Sequence, residues 1–133
     1  MPNTNPAVSI RLPLLHIRLS HDKEGLKTIG LVDSGSTTTF VPIELADMLS
    51  VPTEREEQAV GAGGKFQNTI RKLTISVLKG RSPIITFSNF PVYVPTEEDR
   101  IPYVVLGRDS IFRKVDVLFR ERMQRFYLRT PKR

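Results

Sequence analysis

The sequence predicts a mostly β domain with one or two short helices. Apolar and polar residues alternate along several segments of the 133-residue chain, which is the pattern of half-buried strands. Turn-forming residues separate these segments, and good helix formers are concentrated in one stretch after Pro42. With 39% hydrophobic and 26% charged residues, the composition is typical of one globular domain with a single core.

Eight segments carry strand patterns. In chain order they are residues 8–19, 26–32, 69–78, 84–87, 90–94, 103–106, 115–119 and 125–128. Pro13 marks an edge or a bend in the first segment, and a turn at residues 22–25 joins it to the second as a hairpin. The wholly apolar segment 103–106 is typical of a buried central strand. The last two segments predict a hairpin around residues 120–124.

Two short helices are predicted between the strands. Pro42 suits the first turn of a helix over residues 43–49, and Pro52 ends it. A second short helix fits residues 107–113. A polar stretch, residues 53–58, leads from the first helix to a glycine-rich turn.

The residue types exclude several kinds of chemistry. The sequence contains no cysteine, which excludes disulfides, thiolate metal sites and thiol nucleophiles. The two histidines, His16 and His21, cannot hold a metal alone, and no carboxylate stands at a ligand spacing from them. We therefore expect neither a metal nor a cofactor.

The net charge of +6 raises the question of a nucleic-acid partner. Part of the excess lies near the end of the chain, at Arg120, Arg122, Arg125, Arg129, Lys132 and Arg133. A basic tail can bind phosphates, but no recognised motif and no clear stacking aromatics accompany this one. We favour a solvated strand face with a frayed basic tail at residues 130–133.

The start of the chain bears on location. Residues 1–7 lack the basic and then apolar pattern of a signal peptide, and we interpret them as a flexible leader before a domain at residues 8–129. No apolar run approaches the roughly 18 residues that a membrane helix needs. We expect a cytoplasmic protein without membrane contact, although a mature fragment cut from a longer precursor would look the same.

The strongest local signal is the segment from Leu31 to Thr37. There an apolar strand delivers the carboxylate of Asp33 to a loop of glycine and hydroxyl residues, Ser34, Gly35 and Ser36. Backbone N–H groups and hydroxyls in such a loop can hold a carboxylate in place. The triplet alone is only suggestive, because most Asp-Ser-Gly triplets are ordinary turns.

Two further features accompany the triplet. The first, called here the second signature, is residues 104–109, which begin 71 positions after Asp33. In it an apolar run that ends at Leu106 is followed by Gly107, Arg108 and Asp109. Between the two lies a glycine-rich turn that predicts a mobile hairpin tip. Its residues are Val60, Gly61, Ala62, Gly63, Gly64 and Phe66.

In this order and spacing, the three features resemble the retroviral-type, or retropepsin-like, aspartic peptidases. The resemblance spans residues 8–128, and the long ending is closer to cellular and prokaryotic members than to the short viral enzymes. It implies a closed retropepsin-like acid-protease barrel that works as a homodimer. It also implies that Asp33 is catalytic, that Ser34, Gly35 and Ser36 support the active-site loop, and that the glycine-rich turn is a substrate-binding flap.

The length of the chain agrees with a dimer. Pepsin-like enzymes carry two catalytic triplets in two lobes, whereas this chain has one triplet and no room for two lobes. The resemblance implies an aspartic endopeptidase in which two Asp33 carboxylates share a proton and activate a water that attacks the peptide bond. The alternative is a catalytically weak or inactive module that uses the same fold for dimerisation or peptide binding.

Two positions depart from the retroviral pattern. Ser36 stands where many retroviral enzymes have alanine, and its hydroxyl is expected to bond the outer oxygen of Asp33 and to favour an acidic pH optimum. Thr37 stands where these enzymes commonly have an aspartate that pairs with the arginine of the second signature. Arg108 must therefore use Asp109 or a backbone carbonyl, and we expect it to be a buried scaffold residue.

Overall fold

The computed structural model describes residues 12–61, 63–120, 122 and 125–129. The predicted leader (residues 1–7) and basic tail (residues 130–133) lie outside the described residues. The elements are, in chain order, β1 (Leu14–His21), β2 (Glu24–Val32), α1 (Ile43–Met48), β3 (Arg55–Gly61), β4 (Gly64–Lys79), β5 (Ser82–Pro95), β6 (Val104–Leu106), α2 (Ile111–Lys114), β7 (Asp116–Arg120) and β8 (Arg125–Arg129). The predicted mostly β architecture with short helices is confirmed.

Six strands form one sheet around the long strand β4. The strand order is β3-β4-β1-β2-β6, and β5 also pairs with β4. All these pairs are antiparallel except β2–β6, which is parallel. The predicted hairpin of the first two strands is confirmed, with Leu19 opposite Leu26 next to the turn.

The prediction of a closed barrel is wrong for the described strands. The sheet remains open between β6 and β5, and only Phe40 crosses this gap, through single bridges to Tyr93 and Val105. The backbone N–H groups of Phe40 and Val105 each donate a 2.9 Å hydrogen bond to the other residue's carbonyl oxygen. Because β6 has only three residues, its edge is too short for a continuous ladder to β5.

Four other expectations need correction. The segments 84–87 and 90–94 belong to the single bulged strand β5, because their ladder to β4 continues through two register shifts. The polar stretch at 53–58 enters β3, where pairing with β4 outweighs its composition. The segment 103–106 is buried as predicted, but it is a terminal strand of the sheet rather than a central one. Helix α2 is also shorter than predicted and begins at Ile111.

The core draws side chains from β1, β2, β4, β5, β6 and both helices. Its buried members are Ile17, Leu19, Val32, Val41, Ala46, Leu49, Val51, Leu73, Ile75, Val77, Phe87, Val92, Val94, Val104, Leu106, Ile111 and Val115. Gly30 lets β1, β2 and β6 pack closely, since a Cβ there would lie 3.0 Å from Leu106 and 3.2 Å from Ile17. This packing brings the ends of β2 and β6 together.

One arginine is buried inside this architecture. Arg71 is only 7% exposed, and its guanidinium donates 2.9 Å and 3.2 Å hydrogen bonds to the Asp47 carboxylate and the Val51 carbonyl. A third bond of 3.0 Å goes to Thr69 Oγ1. The alternation of β4 does not reveal this burial, because the chain after α1 covers the side of β4 that the pattern assigns to solvent.

The last two strands form the predicted hairpin as a separate two-stranded sheet. Val117, Phe126 and Leu128 pack against the core. Leu118 and Tyr127 are opposite each other in register and point outwards, with 52% and 44% of their surfaces exposed. Among the described residues, no helix has the length and apolar character needed to cross a membrane.

Candidate active site

Asp33 follows directly after β2, beside the end of β6. Its backbone N–H donates a 3.0 Å hydrogen bond to the Leu106 carbonyl, which continues the parallel β2–β6 pairing by one step. The Asp33 triplet and the second signature are therefore neighbours in the structure. The Asp33 side chain is half-buried.

The loop after Asp33 folds back on the carboxylate. The Gly35 N–H donates a 2.9 Å hydrogen bond to Asp33 Oδ1, and the Ser36 N–H donates a 3.2 Å bond to the Asp33 carbonyl. A Cβ on Gly35 would lie 3.2 Å from Asp33 Oδ1, so glycine leaves room for this turn. Ser34 and Gly35 are exposed, which leaves this side of the loop open to a second molecule.

The expected hydrogen bond from Ser36 to Asp33 is not formed. Ser36 Oγ instead donates a 2.6 Å hydrogen bond to the Thr38 carbonyl oxygen. The turn directs the Ser36 side chain along the loop rather than back to the carboxylate. In this structure the Ser36 side chain stabilises the loop and makes no hydrogen bond to the Asp33 carboxylate.

Gly107 allows the second signature to contact the loop. The neighbouring Arg108 N–H donates a 2.8 Å hydrogen bond to the Ser36 carbonyl oxygen. A Cβ on Gly107 would overlap the Thr38 carbonyl and lie 2.9 Å from the Ser36 carbonyl oxygen. Only glycine fits this position without a shift of backbone.

A buried polar network behind the loop fixes its far end. Thr39 Oγ1 donates a 2.6 Å hydrogen bond to Asp109 Oδ1, and the Thr39 N–H lies 3.3 Å from Oδ2. Thr39 Oγ1 accepts a 3.2 Å bond from the Gly107 N–H and lies 2.7 Å from Ser110 Oγ. Thr39 and Ser110 are completely buried, and sequence reasoning missed both. The sequence signals them only as hydroxyl residues that stand just after the Asp33 loop and just after the second signature.

Arg108 does not occupy the predicted buried position. Its side chain is exposed, and Asp109 directs its carboxylate to Thr39 instead. Arg108, Thr37, Asp109 and Arg113 line a cleft of about 400 Å³ beside the active-site loop. The physical reason is local: Asp109 satisfies the buried Thr39, and the Arg108 guanidinium turns to solvent.

The predicted flap is a hairpin made by β3 and the start of β4. Gly61 pairs with Gly64, whose φ of +103° requires glycine, while Ala62 at the tip lies outside the described residues. Val60, near the tip, is 78% exposed. The predicted flap residue Gly63 has open space around it, since a Cβ there would meet only an Arg100 nitrogen at 3.6 Å.

Phe66 belongs to an aromatic cluster that connects the β3–β4 hairpin to Phe40 and to Tyr93 of β5. Its ring centroid lies 6.0 Å from that of Phe40, which in turn packs edge-on against Tyr93 at 5.8 Å. The Arg100 guanidinium lies 4.5 Å from the Phe66 ring centroid. Phe66 therefore anchors the hairpin near its tip rather than extending freely into solvent.

Tyr93 makes a second connection to the flap. Its Oη donates a 2.9 Å hydrogen bond to Glu57 Oε1 on β3. Burial raises the pKa of Tyr93, and the hydrogen bond to Glu57 raises it further. The sequence offers no signal for this pair, because 36 residues separate its members.

Potential metal ligands do not cluster in the part of the chain that the structure describes. No group of three or more histidine, cysteine, aspartate or glutamate side chains is placed to hold a metal ion there. What the site does contain is a carboxylate at a strand end, held by a backbone N–H and open on one side. Such a group can accept a proton from water or donate one to a substrate.

Comparisons with known proteins bear on this arrangement. A family model described as aspartyl protease matches residues 21–110, which is more than half of the chain. Among solved structures, EIAV protease complexed with the inhibitor HBY-793 is similar, with a TM-score of 0.52, 21% identity, and coverage of 84% of this chain and 93% of that one. The solution structure of simian foamy virus (mac) protease is similar with a TM-score of 0.48, 20% identity, and coverage of 74% and 90%. A search of curated proteins found no match. The predicted retropepsin-like fold is confirmed, apart from the closure of its sheet.

Proposed function

Because the chain belongs to the aspartyl protease family, we propose that it is an aspartic endopeptidase whose catalytic carboxylate is Asp33. The observation that supports this most directly is the position of Asp33 at the end of β2, with the Gly35 N–H 2.9 Å from its Oδ1. The Leu106 carbonyl and Gly107 hold the loop from behind. Ser34 and Gly35 remain exposed beside the carboxylate, as an incoming peptide requires.

The proposed active enzyme is a homodimer. The sequence holds a single Asp-Ser-Gly triplet, so one chain supplies one carboxylate to the proposed site. A two-fold axis next to Ser34 and Gly35 would bring the Asp33 carboxylates of two copies together. Ser34 would then hydrogen-bond to the loop of the second copy, which agrees with its exposure.

We assign part of the dimer interface to the outer face of the β7–β8 hairpin. Leu118 and Tyr127 form an exposed apolar pair there, while the opposite face packs on the core. Covering this pair with its own copy would remove apolar surface from water, at about 25 cal/mol per Å². The exposed arginines around the pair would lie at the rim, where solvent still reaches them.

The chemistry follows from two carboxylates held close together. Two like charges at short distance resist joint ionisation, so the pair shares one proton. The ionised carboxylate accepts a proton from a water, which attacks the scissile carbonyl, and the protonated carboxylate hydrogen-bonds the carbonyl oxygen. The proton then passes to the leaving nitrogen. We expect an acidic pH optimum on the basis of the shared proton alone, because Ser36 is bonded to Thr38.

The flap supplies the substrate-binding surface. Among the described strands, β3 pairs only with β4, so its other edge presents N–H and C=O groups with which an extended peptide can pair. Val60 is placed to contact the peptide near the tip, and Gly61, Gly63 and Gly64 allow the backbone to adjust over it. Phe66 near the tip and the Glu57–Tyr93 bond nearer the base hold the hairpin during this motion.

The deciding experiment is cleavage of a peptide library across acidic pH by the wild type and by Asp33→Asn. Asp22→Asn is the matched control, because Asp22 is 85% exposed and lies in the β1–β2 turn. The proposal requires cleavage by the wild type and the control, and loss of at least about 1,000-fold in Asp33→Asn. Equal cleavage by Asp33→Asn would refute it. Binding of peptides without cleavage by any form would indicate the inactive peptide-binding module instead.

A further inference from the structure

A positively charged cleft lies beside the active-site loop and has no role in the proposed chemistry. Thr37, Arg108, Asp109 and Arg113 line its volume of about 400 Å³. Two guanidiniums face one carboxylate in this lining, which leaves a formal charge of +1. Both arginine side chains are exposed, and neither has a carboxylate within 4.0 Å among the described residues.

The positive charge of the two arginines is not paired by the one carboxylate in the lining, because that carboxylate bonds elsewhere. Asp109 accepts the 2.6 Å hydrogen bond of Thr39 and so directs its oxygens towards the buried network. Thr37, on the other wall, offers a hydroxyl and no charge. A guanidinium presents several N–H donors in a planar fork that matches a carboxylate. The cleft is thus equipped for an anion that the described chain does not supply.

The position of the cleft relates it to a peptide at Asp33. The Asp33 N–H bonds to Leu106, and the Arg108 N–H bonds to Ser36, so these backbone contacts are two residues apart on the second signature. Thr37, which lines the cleft, follows Asp33 by four residues in the same loop. A peptide that is cut at Asp33 therefore passes within a few residues of the cleft.

We propose that this cleft is a specificity subsite that binds a carboxylate side chain of the substrate through Arg108 and Arg113, with Thr37 as an additional hydroxyl donor. The inference rests on the proposed peptidase function. The expected substrate carries glutamate or aspartate within a few residues of the scissile bond. In a two-fold dimer the cleft occurs on both sides of the axis, so the preference applies to both sides of that bond.

The size of the preference follows from exposure. Ion pairs between exposed groups are worth little individually, so we expect a glutamate peptide to exceed its glutamine counterpart by roughly fivefold in kcat/KM at low salt. Because exposed charges are screened over about 8 Å at physiological ionic strength, the ratio should fall as salt is added. This salt response needs no variant and is measured on the wild-type dimer.

The test uses paired peptides that differ only by Glu or Gln at each position near a known cleavage site. Each form of the enzyme is assayed with both peptides, so the Gln peptide serves as the reference for that form. The double variant Arg108→Gln/Arg113→Gln should lower the Glu/Gln ratio to about one. The variant Thr37→Asp should do the same while keeping both arginines, since the new carboxylate would pair with Arg108. Arg81→Gln, an exposed arginine in the β4–β5 turn, is the control and should keep the wild-type ratio.

The outcomes separate this inference from the proposed function. A Glu/Gln ratio near one in the wild type, or a wild-type ratio in both cleft variants, overturns the subsite while the peptidase assignment stands. If the wild type cleaves no peptide, the proposed function fails. Equilibrium binding of the same peptides to Asp33→Asn then decides the subsite: a Glu preference that is lost in Thr37→Asp/Asp33→Asn supports it, and equal binding overturns it.

Discussion

Tyr93 donates a 2.9 Å hydrogen bond to Glu57, and this bond links β5 to the flap strand β3. Phe40 packs against Tyr93 on one side and against Phe66 of the flap on the other. The β3–β4 hairpin is therefore connected to the rest of the domain at two points, Glu57 and Phe66, while Val60 near the tip stays exposed. Motion in the hairpin should be concentrated between Val60 and Gly64.

Tyr93→Phe should loosen the flap without unfolding the protein. It removes the hydroxyl and leaves the ring against Phe40, so we expect a loss of about 1 kcal/mol in the free energy of unfolding. Hydrogen exchange in β3 should become faster, and KM for peptides should rise more than kcat falls. Tyr103→Phe is the control and should leave exchange in β3 unchanged. Identical exchange in wild type and Tyr93→Phe would contradict the role of this bond.

The same pair predicts a stability change at alkaline pH. The pKa of Tyr93 is raised from its ordinary value of 10.0 by burial and by Glu57, so the neutral phenol is favoured in the folded state. The contribution of the protonated Tyr93 to the free energy of unfolding is fully present below the unfolded-state pKa. It is lost as pH rises through the higher folded-state pKa. Measured by denaturant unfolding, the free energy of unfolding should be lower for Tyr93→Phe than for the wild type at about pH 8. At about pH 11 this difference should be smaller or have the opposite sign. A difference independent of pH would contradict this.

Gly107→Ala should distort the active-site loop. A Cβ at this position would overlap the Thr38 carbonyl, and backbone atoms cannot move aside as side chains do. We expect a destabilisation of about 2 kcal/mol or more, together with a fall in kcat. Gly63→Ala is the matched control, because only an Arg100 nitrogen 3.6 Å away lies near its added Cβ. Thermal unfolding of the two variants tests the prediction, and equal melting temperatures would count against the proposed contact.

Asp47→Ala should cost more stability than an ordinary surface change. It removes the partner of Arg71, whose side chain is 9% exposed, although the bonds to Val51 and Thr69 remain. Leaving a buried guanidinium with fewer acceptors should cost about 1–3 kcal/mol. Glu54→Ala is the control, since its ion pair with Lys72 is exposed and 3.7 Å long, and should change stability by less than about 0.5 kcal/mol. Urea unfolding measures both, and equal effects would contradict the importance of burial.

Leu118→Glu should weaken the proposed dimer. A charge on the outer face of the β7–β8 hairpin would be desolvated twice in a two-fold interface, once from each copy. Sedimentation should show a dissociation constant raised by at least about tenfold, and specific activity should fall at low enzyme concentration. Ile84→Glu is the control, because Ile84 is 53% exposed against 52% for Leu118 but lies on β5. Dimers of unchanged affinity in Leu118→Glu would place the interface elsewhere.

Several elements of this fold were predictable because their signals are local. The β1–β2 hairpin follows from a turn between two alternating segments, and α1 follows from Pro42 and the helix formers after it. The division of β5 into two strands was a wrong prediction, because residues 88 and 89 read as a break in the sequence. In the structure the pairing of β5 with β4 continues past them, with Asn89 in a positive φ conformation.

The sequence by itself determined the order of the Asp33 triplet, the glycine-rich turn and the second signature, because each is a short run of residue types with a local backbone requirement. Only the tertiary structure decided which side chains meet across the chain. Asp109 bonds to Thr39, so that Arg108 lines the cleft without it. The buried Arg71 bonds to Asp47 of α1, and Tyr93 bonds to Glu57. These contacts depend on strand register and on competition between possible partners, and neither is encoded in any single segment.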